Sequence, residues 1–225
     1  MQRNNDENGI VGNNDRCSLL FRKGFAAIGM ACDQATIDQF VFYLQELMRW
    51  NEKTNLTGHK KEEEMVGNLF FDSLVCSRVL PSDAVCSILD IGTGAGFPGI
   101  PMGIVSPQQN FTLLEPNLKK VAFLHHIIGS LGLKNIHVEP CRIEQFSRKP
   151  EYHGKFDWVF MKALRFDAGL AYVTAVLAES GRCVFCRVQP LPPDRLPKGF
   201  SVVDEMPYEL PFGLGSRILN VVSPV

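Results

Sequence analysis

The sequence predicts an α/β protein. The expected architecture is a mostly parallel seven-stranded sheet with helices on both faces, an antiparallel C-terminal hairpin and an N-terminal helical extension. Three observations predict it. From Val85 onward, short apolar runs alternate with helical patterns. The first run ends in a glycine cluster, LDIGTGAGFPGIPMG (Leu89–Gly103). The last two runs, Phe200–Glu209 and Arg217–Val222, are joined by PFGLG with no helix between them, as in a hairpin at a sheet edge.

The elements follow in order. Residues 1–16, MQRNNDENGIVGNNDR, are polar and Asn-rich and read as a disordered lead-in without the apolar core of a signal peptide. Residues 17–82 read as a helical extension. Ile37, Phe40, Val41, Leu44, Leu47 and Met48 form one stripe at helical spacing, with Asp33 as the N-cap. NEKTNLTG is a loop, and KEEEMVGNLFFDSLVCSRVL is a second helix that Pro81 ends. Residues 83–225 form the sheet domain. Its strands are Val85–Ile91, Asn110–Glu115, Asn135–Glu139, Phe156–Met161 and Gly181–Val188, followed by the two of the hairpin. Helices run from the glycine loop to Val105, over Asn117–Leu131, just after Arg142, and over Asp167–Ala178. Such a βαβα rhythm gives a parallel sheet.

At 225 residues, 45% hydrophobic and 21% charged, the chain has the size and composition of one ordinary globular domain. Its formal charge of −1 gives no global basic field, although a local basic face is compatible with it. No run of about 18 apolar residues is available to span a membrane. The seven cysteines, at 17, 32, 76, 86, 141, 183 and 186, are odd in number and scattered, which suits a reducing cytosol. Cys183 and Cys186 form a CxxC, but on a strand residues three apart point to opposite faces, so neither a metal nor a redox pair is expected there. His125 and His126 are adjacent on a helix and point apart, and no metal site is expected.

The glycine loop opens the question of ligand. Gly92, Gly94 and Gly96 fall two apart, as GxGxG; the nicotinamide pattern GxGxxG would need a glycine where Phe97 stands. The spacing and the edge hairpin fit a class I, Rossmann-like methyltransferase better than an oxidoreductase. Glu115, at the tip of the second strand, can accept both hydroxyls of an adenosine ribose, a placement the two classes share. Asp90, a buried or half-buried strand residue one position before the loop, needs a partner. It can orient the turn, or meet a ligand's ammonium group through water.

WNEKTNLTG, FFDSL, LDIGTGAGFPGIPMGIVSP, FTLLEPNLKKVAFL and LGLKNIHVEPCRIEQF together resemble the GidB/RsmG family of 16S ribosomal RNA guanine-N7 methyltransferases. The likeness covers residues 40 to 165 well. It implies a cytoplasmic enzyme that uses S-adenosylmethionine and acts on the small ribosomal subunit's RNA. It also implies cofactor contacts at Gly92, Phe97, Ile143 and Glu144, with Arg142 matching the family's Arg-x-Glu, and at Lys162, where the family has Arg. Three further places depart from the family. Leu69 stands for a His, Arg187-Val188 for Lys-Gly, and Lys119-Lys120 for Lys-Arg. Arg and Lys are not interchangeable at bidentate sites.

Methyl transfer to guanine N7 is an in-line displacement onto an exposed lone pair, so alignment suffices and no general base is needed. The chain agrees with that chemistry. After the fourth strand it has neither the Asn/Asp-Pro-Pro-aromatic segment of amino-methylating enzymes nor a nucleophilic Cys, and Cys141 reads as structural. Lys119, Lys120, Lys162, Arg165 and Arg187 fall near carboxyl ends of strands and would form a basic rim for RNA. Phe97 and Phe166 can stack on a splayed base or pack in the core. Other acceptors (another RNA, a small molecule) and a non-catalytic RNA-binding relative remain compatible with the sequence.

Overall fold

The first strand, β1 (Ser87–Ile91), is the hub of the sheet. It pairs in parallel with β2 (Asn110–Leu114) on one side and β4 (Phe156–Lys162) on the other. β3 (Ile136–Glu139) extends the first side, and β5 (Leu177–Arg187) extends the second. β6 (Phe200–Glu209) and β7 (Ser216–Pro224) form the antiparallel hairpin, with β7 inserted between β5 and β6. The order is β3-β2-β1-β4-β5-β7-β6. This computed structural model describes residues 13–162, 166–191, 196 and 199–225. Among them no helix is long and apolar enough to cross a membrane.

The N-terminal helices are built by buried stripes. α1 (Asn13–Ala27) begins inside the segment expected to be a lead-in; residues 1–12 lie outside the described ones. It buries Cys17, Phe21 and Phe25. α2 (Gln34–Thr54) starts at Asp33, whose carboxylate accepts the Thr36 N–H at 2.8 Å, and it ends at Asn55 in the left-handed region. The helix expected after Lys61 is interrupted. A π-helical turn, Val66–Phe71, separates α3 (Glu62–Met65) from α4 (Asp72–Cys76). Such turns carry an extra residue per turn and recur at functional sites; this one delivers Asn68 and Asp72 to the edge of the candidate site.

The remaining α-helices among the described residues are α5 (Gly99–Val105), α6 (Leu118–Leu131), α7 (Ile143–Phe146) and α8 (Phe166–Val176). The pleat divides the core in two. Ile88, Phe160, Val184 and Leu219 face α1, α2, α5 and α6. Leu89, Val159, Cys183 and Phe185 face α7 and α8. The N-terminal helices share one continuous core with the sheet. Phe21, for example, packs edge-on against Phe70 with ring centroids 5.2 Å apart. The CxxC does split across the faces. Cys183 is in the α8-side core, where burial pushes its thiol up to about 12, and Cys186 packs on the other side.

Candidate active site at the glycine loop

β1 has its two neighbours in opposite chain directions of succession, so a crevice opens at its carboxyl end, where open α/β sheets bind ligands. The glycine loop fills that place. Gly92 and Thr93 donate their N–H groups to the Leu114 carbonyl at 2.9 and 3.1 Å, pinning the loop to the end of β2. Gly92, Gly94 and Gly96 all have positive φ, at 71°, 63° and 99°, which side chains resist. At Gly96 a Cβ would also meet Ile100 and the Tyr43 hydroxyl at 2.6 Å.

Asp90 holds the loop from beneath. It is 1% exposed, and its Oδ2 accepts the Thr93 hydroxyl at 2.6 Å and the Gly99 N–H at 2.9 Å. Of the two roles left open by the sequence, orientation of the turn is thus visible. Oδ1 is buried without a partner. Burial pushes the carboxyl up to about 6, against the pull of Thr93, Gly99 and Lys162, and Glu115 adds to the rise. Asp90, Lys162 and Glu115 are therefore close enough to feel one another's charge.

Glu115 sits at the carboxyl end of β2 with both oxygens engaged. Oε2 accepts the Gly94 N–H at 3.0 Å, and Oε1 accepts the Asn117 N–H at 2.8 Å. These bonds fix the carboxylate against the loop and leave it spare lone pairs, since an ionised carboxylate offers about four acceptor sites. Lys120 lies beside the loop: its Nζ is 4.0 Å from where a Cβ on Gly94 would stand. It therefore lies against the glycine loop, whereas Lys119 is exposed at the start of α6.

A residue that sequence reasoning missed braces the loop from outside the sheet. Tyr43, buried in α2, donates its hydroxyl to the Ala95 carbonyl. Its ring stacks on Phe97 at 5.3 Å and 4° between planes. Phe70 meets the same Phe97 ring edge-on at 5.0 Å. The Phe97 ring is thereby committed to the core, and only its main chain faces the loop's ligand side. Nothing in the stripe of α2 distinguishes Tyr43 from its apolar neighbours, so periodicity alone could not have found it.

The other wall of the crevice is a polar cluster in which Asp72 and Tyr208 are buried and Lys162, Asn68 and Arg217 are half-buried. Lys162, at the end of β4, pairs with Asp72 Oδ2 at 2.6 Å and donates to the Asn68 carbonyl at 3.0 Å. Burial disfavours its charge, but Asp72, Cys186 and Cys76 outweigh that and the ammonium is held above its ordinary value. Tyr208, from β6, donates to Asp72 Oδ1 at 2.7 Å. Arg217 reaches the Asn68 side chain at 3.2 Å. Lys162, expected as a cofactor and RNA contact, is thus tethered within the protein. The residues at 142–144 follow β3, beside the strand that carries Glu115. Arg142 is exposed, Ile143 is packed into the α8-side core and Glu144 is half-buried. Arg187, half-buried at the end of β5, donates to the Gln189 carbonyl at 3.3 Å, and Val188 beside it is exposed. Arg165 and the Phe166 side chain lie outside the described residues. Among those described, no cluster of three or more metal-ligating side chains exists.

The cofactor cradle and the run of motifs point to one family, and comparison with known proteins agrees. Residues 36–189 match the model of the family described as rRNA small subunit methyltransferase G, GidB. The chain belongs to this family. Ribosomal RNA small subunit methyltransferase G of a Roseiflexus species is 36% identical over 198 residues, which cover 87% of this chain and 80% of that one. The protein of the same name from Dichelobacter nodosus is 34% identical over 206 residues, covering 90% and 93%. Solved structures carry the same fold at low identity. A SAM dependent methyltransferase from Aquifex aeolicus aligns with a TM-score of 0.51 at 18% identity, over 71% of this chain and 92% of that one. M. jannaschii TYW2, in complex with AdoMet, aligns at 0.53 and 16% identity, over 68% and 75%. The protein is an S-adenosylmethionine-dependent methyltransferase of the GidB type.

The cradle fits that cofactor on its own terms. A carboxylate fixed at the end of β2 with acceptor sites to spare, and a glycine turn free of side chains, are what a ribose and a close backbone approach require.

Proposed function

We propose that the enzyme transfers a methyl group to guanine N7 of 16S ribosomal RNA in the cytoplasm, with the RNA or a small-subunit particle as its partner. The observation that carries this reading is the acceptor wall. Among the described residues it offers one tethered ammonium, and its carboxylate, Asp72, is taken up by Lys162 and Tyr208, which suits an acceptor atom with a free lone pair.

In this reading Glu115 takes the ribose hydroxyls. Gly92, Gly94, Gly96 and the main chain of Phe97 line the amino-acid end, and Asp90 sets that turn from beneath and meets the amino group only through water. Arg142, Ile143 and Glu144 border the adenine. When bound, the cofactor supplies an electrophilic methyl group on a sulfonium. The chain aligns the guanine against it, with Lys162 at the acceptor edge and Lys119, Lys120, Arg165 and Arg187 drawing in phosphates. No residue is assigned acid–base work. The helical extension over residues 17–82 serves as a brace for the cofactor domain over residues 83–225.

Calorimetric titration with S-adenosylmethionine is the first test, with Glu115→Ala as control. Micromolar binding that the substitution weakens at least about tenfold is expected, because two fixed hydroxyl contacts are lost. Labelled methyl transfer to small-subunit RNA follows, with borohydride and aniline scission to locate 7-methylguanine. A folded protein that does not bind the cofactor ends the catalytic reading. Label in another RNA, or at an atom that resists scission, ends the guanine-N7 assignment. The departures at Leu69 and Val188 make that second outcome the one to look for.

A further inference from the structure

The CxxC of β5 splits across the sheet, but its second cysteine has another partner. Cys186 lies on the face shared with the N-terminal helices, and its Sγ is 2.9 Å from the Sγ of Cys76, the last residue of α4, 110 positions earlier in the chain. Cys76 is fully buried and its thiol also points at the Asp72 carbonyl, 3.4 Å away. Cys186 is partly exposed and stands directly across from Lys162 in the β4–β5 register. Among the described residues both thiols are free. A disulfide has its sulfurs about 2.05 Å apart, so bonding asks them to close by less than about 1 Å.

We infer that Cys76 and Cys186 are a modification site, a thiol pair that closes reversibly into a disulfide latch between α4 and β5. The oxidant is a peroxide. The sulfur of Cys186, the less buried residue of the pair, attacks one peroxide oxygen; the O–O bond breaks, one water leaves, and the sulfur becomes a sulfenic acid. The Cys76 sulfur then displaces that hydroxyl as a second water and forms the S–S bond. Two thiols and one hydrogen peroxide thus give one disulfide and two waters. A dithiol reverses the bond by exchange, passing through a mixed disulfide.

The latch sits on the acceptor wall. Asp72 precedes Cys76 by one helical turn and holds Lys162, so the bond fixes the segment on which the Lys162 ammonium is tethered. An acceptor base that recruits this ammonium must draw it from Asp72, and a locked α4 resists that shift. This consequence rests on the methyltransferase reading above, whereas the bond itself does not.

The test uses the full reduced chain treated with hydrogen peroxide. Peptide mapping before and after dithiothreitol reads the bond, and cofactor titration and RNA methyl transfer read its effect. A 76–186 cross-linked peptide that dithiothreitol removes is expected. Transfer should slow about tenfold in the oxidised form, as a small misplacement at a reacting site does, with cofactor affinity unchanged. Cys186→Ser should abolish the cross-link and make transfer insensitive to peroxide. Cys76→Ala provides the same test from the buried side. Oxidation that stops at a sulfinic acid on Cys186, or links two chains, overturns the site. A cross-link that leaves transfer unchanged overturns its control of the reaction. Absence of transfer even in the reduced chain strikes the functional reading, and the peptide map still decides the bond.

Discussion

The two walls of the crevice are built differently. The wall proposed for the cofactor is local and mostly main chain: Asp90 holds Thr93 and Gly99 within nine residues, and Glu115 holds Gly94 and Asn117. The acceptor wall is made of side chains far apart in sequence. Lys162 meets Asp72, Tyr208 meets Asp72 across 136 positions, and Arg217 meets Asn68 across 149. A wall of glycines and backbone bonds is rigid but sensitive to shape. A wall of buried charges is sensitive to the loss of any one partner, because the remaining charge has no water to turn to.

The sharpest way to break that contrast is to remove one acceptor-wall charge. Asp72→Asn leaves the Lys162 ammonium buried without its counter-ion and should cost about 3–5 kcal/mol of stability in denaturant unfolding. Asp72→Asn combined with Lys162→Met removes the orphaned charge as well, and most of the loss should return. A single substitution that costs no more than an ordinary surface change would mean that water already solvates the pair.

The cofactor wall should respond to pH instead. The Asp90 carboxyl is held at about 6, above the ordinary carboxylate range, chiefly by burial. Between the unfolded and folded values the folded chain keeps a proton that the unfolded chain has lost. Its contribution to stability is therefore fully present below about pH 4 and is lost as pH rises through about 6, a change of about 3 kcal/mol. Asp90→Asn should flatten that slope in unfolding measured across this window. A slope unchanged by the substitution would place the titration on another group.

The same contrast explains what could be read from the sequence. All seven strands and the loop's spacing were legible, because a strand run, a glycine turn and a strand-end acid are each local patterns whose chemistry follows from spacing. Asp72, Tyr208 and Asn68 were not legible as a group. Each alone is an ordinary polar residue; the π-helical turn brings Asn68 and Asp72 to Lys162, and the hairpin then brings Tyr208 to Asp72. The π-helical turn was hidden for a related reason. KEEEMVGNLFFDSLVCSRVL has continuous helical character, and the extra residue is stabilised by tertiary packing rather than by composition. Lys162 was singled out by its place after the fourth strand, but its tether to Asp72 could not be read.

Tyr43 crosses the divide, since it is a distant residue serving the local wall. Tyr43→Phe keeps the ring stack on Phe97 and removes only the hydroxyl that the Ala95 carbonyl accepts. A buried carbonyl left without its donor costs about 1–3 kcal/mol. If that cost falls on the loop's bound conformation, S-adenosylmethionine affinity drops by about tenfold while turnover at saturating cofactor is unchanged. Tyr43→Leu, which also removes the stack, should weaken affinity further. A Tyr43→Phe enzyme that loses stability but binds the cofactor as tightly as before would show that the helical extension supports the sheet without setting the loop, and the cofactor wall would then be local in function as well as in construction.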